Sequence, residues 1–298
     1  MVAVATLRAD TSRAMRAGAA SLRAYVRWRR SDPDSADSID LDFIRRYAPL
    51  LDRFARIYLR MEIEGLADVP SGPALLVGNH NAGITFIEPM GVGARWYLER
   101  GDDDLIHWLV HDAMLVMPGL SRALVRMGCV RASHAVADEV LRRGRKVAVF
   151  PGGNLEAFRP YRRRYQVVFG GHRGFVRLAL RHRVPIVPFV IVGGHESFCV
   201  LHDGRALARK LHLKRLIRSD TFPIFLGLPW GVGVGPIFHL HLPTKSQVRF
   251  LPAITLDGLG PEHQDDRQVV DDIYQRVTGV MQQAMQDIGS RRRFPVIG

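Results

Sequence analysis

His80 stands between two asparagines, Asn79 and Asn81, directly after the short apolar run Ala74-Leu75-Leu76-Val77-Gly78. Imidazole is the side chain best suited to take a proton near neutral pH, so a histidine delivered into a loop of small residues (Asn81-Ala82-Gly83) is a candidate general base. Glu88 follows close enough in the chain to fold back and orient the ring, as a base held by an acid requires. A loop histidine standing alone is more often structural, and its surroundings decide. The second stretch of interest is Phe150-Pro151-Gly152-Gly153-Asn154-Leu155-Glu156-Ala157-Phe158. Two glycines at the end of an apolar run let backbone approach a ligand and offer N–H donors. Glu156 falls where the first turn of a helix would welcome a carboxylate. Alone, this stretch reads as an ordinary Gly-Gly turn.

Other arrangements are weaker. His195-Glu196 begins like a zinc-protease H-E-x-x-H, but Cys199 stands at the second histidine's position. A zinc site needs three or four ligands, so no metal is expected. His239 and His241 alternate on an expected strand and share a face, yet no carboxylate or third histidine is evident beside them. An interfacial or structural role is the reading for that pair. There is no G-x-S-x-G elbow, P-loop or dinucleotide-binding glycine signature, and Gly231-Val232-Gly233-Val234-Gly235 has the wrong spacing for one.

The elements that must position these residues follow from periodicity. Residues 38–64 read as mainly helical with Pro49 a kink or restart, and Phe43, Tyr47, Leu50, Phe54, Ile57 and Met61 recur at helical spacing among arginines. Such a helix suits either a membrane interface or a core-facing position with solvated arginines. Strands are expected at 74–78, 146–150 and 185–192, with helices around 105–127, 136–143 and 173–182 between them. A late strand at 247–254 and a closing helix at 265–288 complete the pattern. This alternation predicts an α/β fold, a mainly parallel central sheet flanked by helices with an N-terminal amphipathic segment. His80, Gly152 and Gly193 should then lie beyond the carboxyl ends of the strands, where polar chemistry collects in such sheets.

Of the 298 residues, Lys plus Arg number 42 against 29 acids, a formal net charge of +13 that favours an anionic partner. No nucleic-acid module or aromatic-basic stacking array accompanies it, so anionic lipid at a membrane surface is the expected partner. Cys129 and Cys199, the only cysteines, point to a reducing compartment. Residues 1–18 lack the apolar core of a secretory signal and read as a basic surface helix or arm, or more faintly as a transit peptide. The greasy Phe222–Leu242 segment contains Pro223, Pro229 and Pro236, which would break a spanning helix. It reads either as an interfacial segment, held near the leaflet by Lys210, Lys214, Arg215 and Arg218, or as a buried arm of the domain. The expected organisation is a basic amphipathic region over 1–61 and a catalytic domain over 62–290 with a membrane-facing insertion at 200–245. A solvated basic tail, 291–298, follows.

Taken in order, Val77-Gly78-Asn79-His80, Gly128-Cys129-Val130, Val147–Ala157, Arg173–Leu180 and Val184–Pro188 resemble the motifs of glycerolipid acyltransferases. The chain is similar, over roughly 62–254, to the lysophospholipid acyltransferase (PlsC-like) superfamily, nearest its diacylglycerol-acyltransferase-2-like branch. The resemblance implies a peripheral enzyme on the cytoplasmic side of a membrane that moves a fatty acyl group from an acyl thioester to a lipid hydroxyl. His80 would be the base, assisted by Glu88, with backbone donors for the oxyanion. Asn79, Arg131, Gly152, Gly153 and Glu156 would bind substrate. No cofactor is implied; acyl-CoA or acyl carrier protein brings the donor, and a lipid is the acceptor.

Two positions depart from the family pattern. Thr85 stands where an aspartate is usual, which makes Glu88 the substitute and leaves a hydroxyl relay or a water-held histidine open. His134 stands where an arginine is usual, with Arg131 as its substitute. If neither grips a phosphate, the acceptor is a neutral lipid. A thioesterase or lipid hydrolase, and a lipid-binding protein without catalysis, are the alternative readings.

Overall fold

The computed structural model describes residues 31–217, 219–294 and 296–297. The N-terminal arm expected over residues 1–18 and the cation expected at Arg218 lie outside the described residues. Helix α1 (Leu41–Tyr58) starts on the Asp40 carboxylate, which accepts the Phe43 N–H, and leads into β1 (Glu62–Glu64). Then come β2 (Leu75–Gly78), α2 (Ile87–Arg100), β3 (Ile106–Val110), α3 (Asp112–Leu115), α4 (Pro118–Arg126) and β4 (Cys129–Arg131). Next follow α5 (His134–Arg142), β5 (Lys146–Val149), the short α6 (Gly153–Ala157), α7 (Gly174–His182), β6 (Ile186–Val192) and α8 (Gly194–Ser197). A second sheet comprises β7 (Cys199–His202), β8 (Ile224–Gly227) and β9 (Gly231–Val234), with α9 (Arg205–Lys210) and α10 (Leu213–Ile217) between its first two strands. The chain closes with β10 (Gln247–Phe250) and α11 (Arg267–Arg291).

The main sheet has seven strands in the order β1-β10-β6-β2-β5-β3-β4. From β6 to β4 every pairing is parallel; β10 runs antiparallel to β6, and β1 is parallel to β10. β2 sits in the middle, with Leu76 opposite Ala148 of β5 on one side and Val187 of β6 on the other. The central strands β2 and β6 are continuous buried apolar runs because both faces of the sheet are covered there. Leu75, Val77, Val147 and Ile186 pack toward α5, α7 and α11, whereas Leu76, Ala148, Val187 and Phe189 pack toward α1 and α2.

Four local expectations are corrected. Pro49 neither kinks nor restarts a new element: α1 is one helix from Leu41 to Tyr58. Its apolar residues divide, with Ile44, Ala48 and Ala55 buried while Leu50, Phe54 and Ile57 remain exposed. The helix expected from 105 begins instead as β3, whose β-branched and aromatic residues Ile106, Trp108 and Val110 suit a buried strand. Helix α2 was unannounced because Pro89, Gly91 and Gly93 depress helix propensity. Gly91 has a packing reason, since a Cβ there would come within 2.8 Å of the Ala55 Cβ on α1. Finally, the basic tail is not wholly solvated: Arg292 is buried and donates to the Gln247 side chain and the Lys245 carbonyl.

Candidate active site

Three adjacent parallel strands, β6, β2 and β5, end side by side. β2 releases Asn79-His80-Asn81, β5 releases Phe150-Pro151-Gly152, and β6 releases Gly193-Gly194-His195. Stretches far apart in sequence thus meet at one sheet edge, as open α/β sheets favour.

His80 is fixed through its backbone at both ends. Its N–H donates to Glu156 Oε2 at 2.8 Å, and its carbonyl accepts from Arg159 Nη1 at 3.1 Å. Its Nδ1 lies 3.0 Å from the Asn81 carbonyl. A carbonyl can only accept, so this contact assigns the proton of the neutral ring to Nδ1 and leaves the lone pair on Nε2. Phe86 meets the ring edge-on at 5.9 Å, and Phe150 lies 5.6 Å away. Burial lowers the His80 pKa despite the opposing pull of the Asn81 carbonyl, and the Arg159 charge lowers it further. The ring is therefore neutral at neutral pH, with a basic nitrogen ready to take a proton.

Glu88 does not touch His80. Its Oε1 accepts from Asn81 Nδ2 at 2.6 Å and meets His241 Nε2 at 2.6 Å, while Oε2 is buried with no hydrogen-bond partner. The directly oriented dyad is thus replaced by a longer link, in which Glu88 holds the side chain of Asn81 and the Asn81 carbonyl holds the ring. Asn81 also accepts the Gly194 N–H at 3.0 Å, tying the loop to β6. Thr85, at the position of the usual acid, meets His239 Nε2 at 3.2 Å, so its hydroxyl serves His239 and not His80.

His239 and His241, for which an interfacial or structural role is expected, both contact this loop, and His241 does have a carboxylate beside it. His241 Nδ1 faces the Leu242 carbonyl at 3.0 Å and Nε2 faces Glu88, so both ring nitrogens donate when the ring is charged. Burial alone would depress its pKa, but the Glu88 carboxylate and the Leu242 carbonyl together raise it. Burial instead pushes His239 down to about 4. Gly83 makes room for His239: its φ is +73°, and a Cβ would stand 1.9 Å from the imidazole.

Several residues expected to bind substrate are occupied otherwise. Asn79 is fully buried and brackets the Ile191 peptide, donating to its carbonyl at 2.9 Å and accepting its N–H at 2.7 Å. Glu156 is fully buried in α6; besides the His80 N–H it accepts that of Val168 at 3.0 Å, and burial raises its pKa. Both of its oxygens are thus committed to backbone N–H groups. Gly152 caps α6 and Gly153 opens it with φ +47°. Arg131 lies at the end of β4, paired with Asp34 at 2.7 Å and with Asp112, and two carboxylates already match its charge. Sequence reasoning missed Arg159, whose guanidinium is buried against the His80 carbonyl; its place three residues after Glu156 was the available signal.

Phe86, Met90, Trp108, Leu124, Met127 and other apolar groups line a narrow apolar cleft. Phe86 belongs both to this cleft and to the cage around His80. His195 is buried on α8, its Nε2 lacking a partner, and burial lowers its pKa well below the usual value. Among the described residues, no group of three His, Cys, Asp or Glu side chains could hold a metal ion.

Residues 60–192 match the acyltransferase family model. The chain is 28% identical to an uncharacterized protein of Mycobacterium tuberculosis over 278 residues, covering 92% of this chain and 75% of that one. It is 28% identical over 240 residues to the human "DGAT1/2-independent enzyme synthesizing storage lipids", covering 80% of this chain and 69% of that one. Among solved structures, the 1-acyl-sn-glycerophosphate acyltransferase PlsC of Thermotoga maritima matches with a TM-score of 0.46 and 16% identity, covering 80% of this chain and 81% of that one. The family match takes in His80, Glu88 and the Phe150–Phe158 stretch together, so residues 60–192 of this chain are similar to an acyltransferase domain.

Proposed function

We propose that this protein transfers a fatty acyl group from a thioester donor to a lipid hydroxyl at a membrane surface, with His80 as general base. The observation that carries this reading is the commitment of Nδ1 to the Asn81 carbonyl, which leaves Nε2 unprotonated in a ring packed against Phe86, a residue that also lines an apolar cleft. In the reaction, Nε2 takes the proton of the acceptor hydroxyl as its oxygen attacks the thioester carbon. The carbon–sulfur bond then breaks, and the leaving thiolate takes that proton back from the imidazolium. The backbone N–H of Gly152 would meet the oxyanion, since Pro151 has none and that of Gly153 is bonded to the Phe150 carbonyl, and the cleft beyond Phe86 would take the acyl chain.

A neutral glycerolipid is the acceptor we favour. Arg131 is already matched by Asp34 and Asp112, which leaves it poorly placed to grip a phosphate. The printed name of the human relative, an enzyme synthesizing storage lipids, agrees with that choice. No helix among the described residues is long and apolar enough to cross a membrane, so a peripheral attachment is proposed for them.

Product analysis tests the reading. Purified protein is given radiolabelled acyl-CoA or acyl carrier protein on vesicles containing lysophosphatidate, lysophospholipids, monoacylglycerol or diacylglycerol. Labelled acylglycerol is expected. Free fatty acid as the sole product would instead make the protein a hydrolase, and label in phospholipid would overturn the neutral acceptor.

A further inference from the structure

The three-stranded sheet β7–β9 has two apolar faces where one would suffice. Val200 and Phe225 point inward, fully buried against Ala82, Phe158 and Phe198. The alternate positions, which face water in a half-buried antiparallel sheet and are ordinarily polar, are Ile224 and Leu226 opposite Val234 and Val232. Val232 is 64% exposed and Leu226 43%, and Trp230 and Phe238 extend the same apolar surface at 53% and 58%. A continuous patch of this kind on a soluble surface marks a contact. The connection from β7 to β8 carries Arg205, Arg209, Lys210, Lys214 and Arg215 without one acid across 205–215. Arg205 and Lys214 pair with Asp203 and Asp220, whereas Arg209, Lys210 and Arg215 lie exposed beside Leu207, Leu211 and Leu216.

We propose that the outer face of β7–β9, together with the cationic α9–α10 connection, is a docking surface for an anionic lipid bilayer. This deepens the proposed lipid acyl transfer and rests on it for the acceptor's location. An apolar plane with a cationic flank fits acyl chains and anionic head groups at once. A second copy of the chain fits less well, because two-fold pairing sets the same patch on itself and brings cationic flanks together in a protein of net charge +13. The surface is also close to the chemistry. Phe225 lies 4.4 Å from Phe198, Phe198 stacks on His239 at 3.9 Å, and His239 meets Thr85 in the His80 loop. Docking there would bring bilayer lipids to the edge of the site.

The test is co-sedimentation of the full chain with phosphatidylcholine vesicles, with and without phosphatidylglycerol, for wild type, Leu226→Ser/Val232→Ser and Arg209→Gln/Lys210→Gln/Arg215→Gln. Both variants change exposed side chains, and unchanged melting confirms that they fold. Wild type should bind the anionic vesicles. The serine pair should lose at least tenfold in partitioning. The triple variant should lose roughly a hundredfold, at about fivefold per cation near an anionic surface. Transfer to a soluble short-chain acceptor should be retained by both. Equal vesicle binding by all three proteins would overturn the proposal, as would a wild-type dimer that the serine pair abolishes. Vesicle binding lost in the variants by a protein without any transferase activity would uphold the docking surface and sink the acyl-transfer reading alone.

Discussion

The main-chain N–H of His80 donates to the carboxylate of Glu156 at 2.8 Å, although 76 positions separate the two in the chain. The bond joins the two family motifs into one structure: the second motif holds the first. Arg159 completes the clamp on the His80 carbonyl. A carboxylate that accepts two backbone N–H groups while fully buried cannot be replaced by its amide without setting donor against donor. Glu156→Gln should therefore destabilise the protein by about 1–3 kcal/mol and lower kcat, while KM for the lipid acceptor stays within a few-fold. Thermal melts and steady-state kinetics check this; a selective rise in acceptor KM would return Glu156 to substrate binding.

Asn79 makes a similar prediction without the catalytic component. Asn79→Ala strands a buried N–H and a buried carbonyl of Ile191, at roughly 1–3 kcal/mol for each unsatisfied group. The expected outcome is a lower melting temperature with little change in acceptor KM. Denaturant unfolding beside kinetics would measure both.

The His241–Glu88 pair predicts a dependence on pH. His241 has a raised pKa in the fold because the Glu88 carboxylate and the Leu242 carbonyl together outweigh the effect of burial. Its stabilisation is thus complete below the unfolded value near 6.5 and fades as pH rises through the folded value. Wild type should exceed His241→Gln in melting temperature most clearly in mildly acid buffer, with the gap narrowing in alkali. A constant gap across that range would show that the pair is not ionised as described. Glu88→Gln keeps a carbonyl for Asn81 but loses the charge, so it should reproduce the flattened profile.

The cleft beside Phe86 predicts a change in donor choice. Met127→Trp adds bulk to its lining and should shift preference from long toward short acyl thioesters, with overpacking costing about 1–3 kcal/mol of stability. Competition between acyl donors of different length reads the shift directly. An unaltered chain-length profile in a folded variant would place the acyl chain elsewhere.

Legibility in the sequence followed the range of the interactions. Strands β2, β5 and β6 and helices α5, α7 and α11 were readable because local periodicity and glycine punctuation specify them. β3 fits helix as well as strand in the sequence, because Ile106, Leu109 and Val110 also match a helical spacing and only burial on both faces of a sheet separates the two. At the site, His80 and the Gly152-Gly153 turn could be found from strand ends. The partner of Glu88 could not, since His241 lies 153 positions away. Asn79 and Glu156 resembled ligand contacts in the sequence because nothing local reveals that both side chains are spent on buried backbone.

The initial rate of thiol release from long-chain acyl-CoA, with and without a diacylglycerol acceptor on anionic vesicles, tests the central claim most directly when wild type is set beside His80→Ala. The account predicts acceptor-dependent release in wild type. It also predicts a loss of roughly a hundredfold to ten-thousandfold in His80→Ala, with unchanged vesicle binding. A His80→Ala protein that releases thiol at the wild-type rate in the presence of acceptor would contradict it.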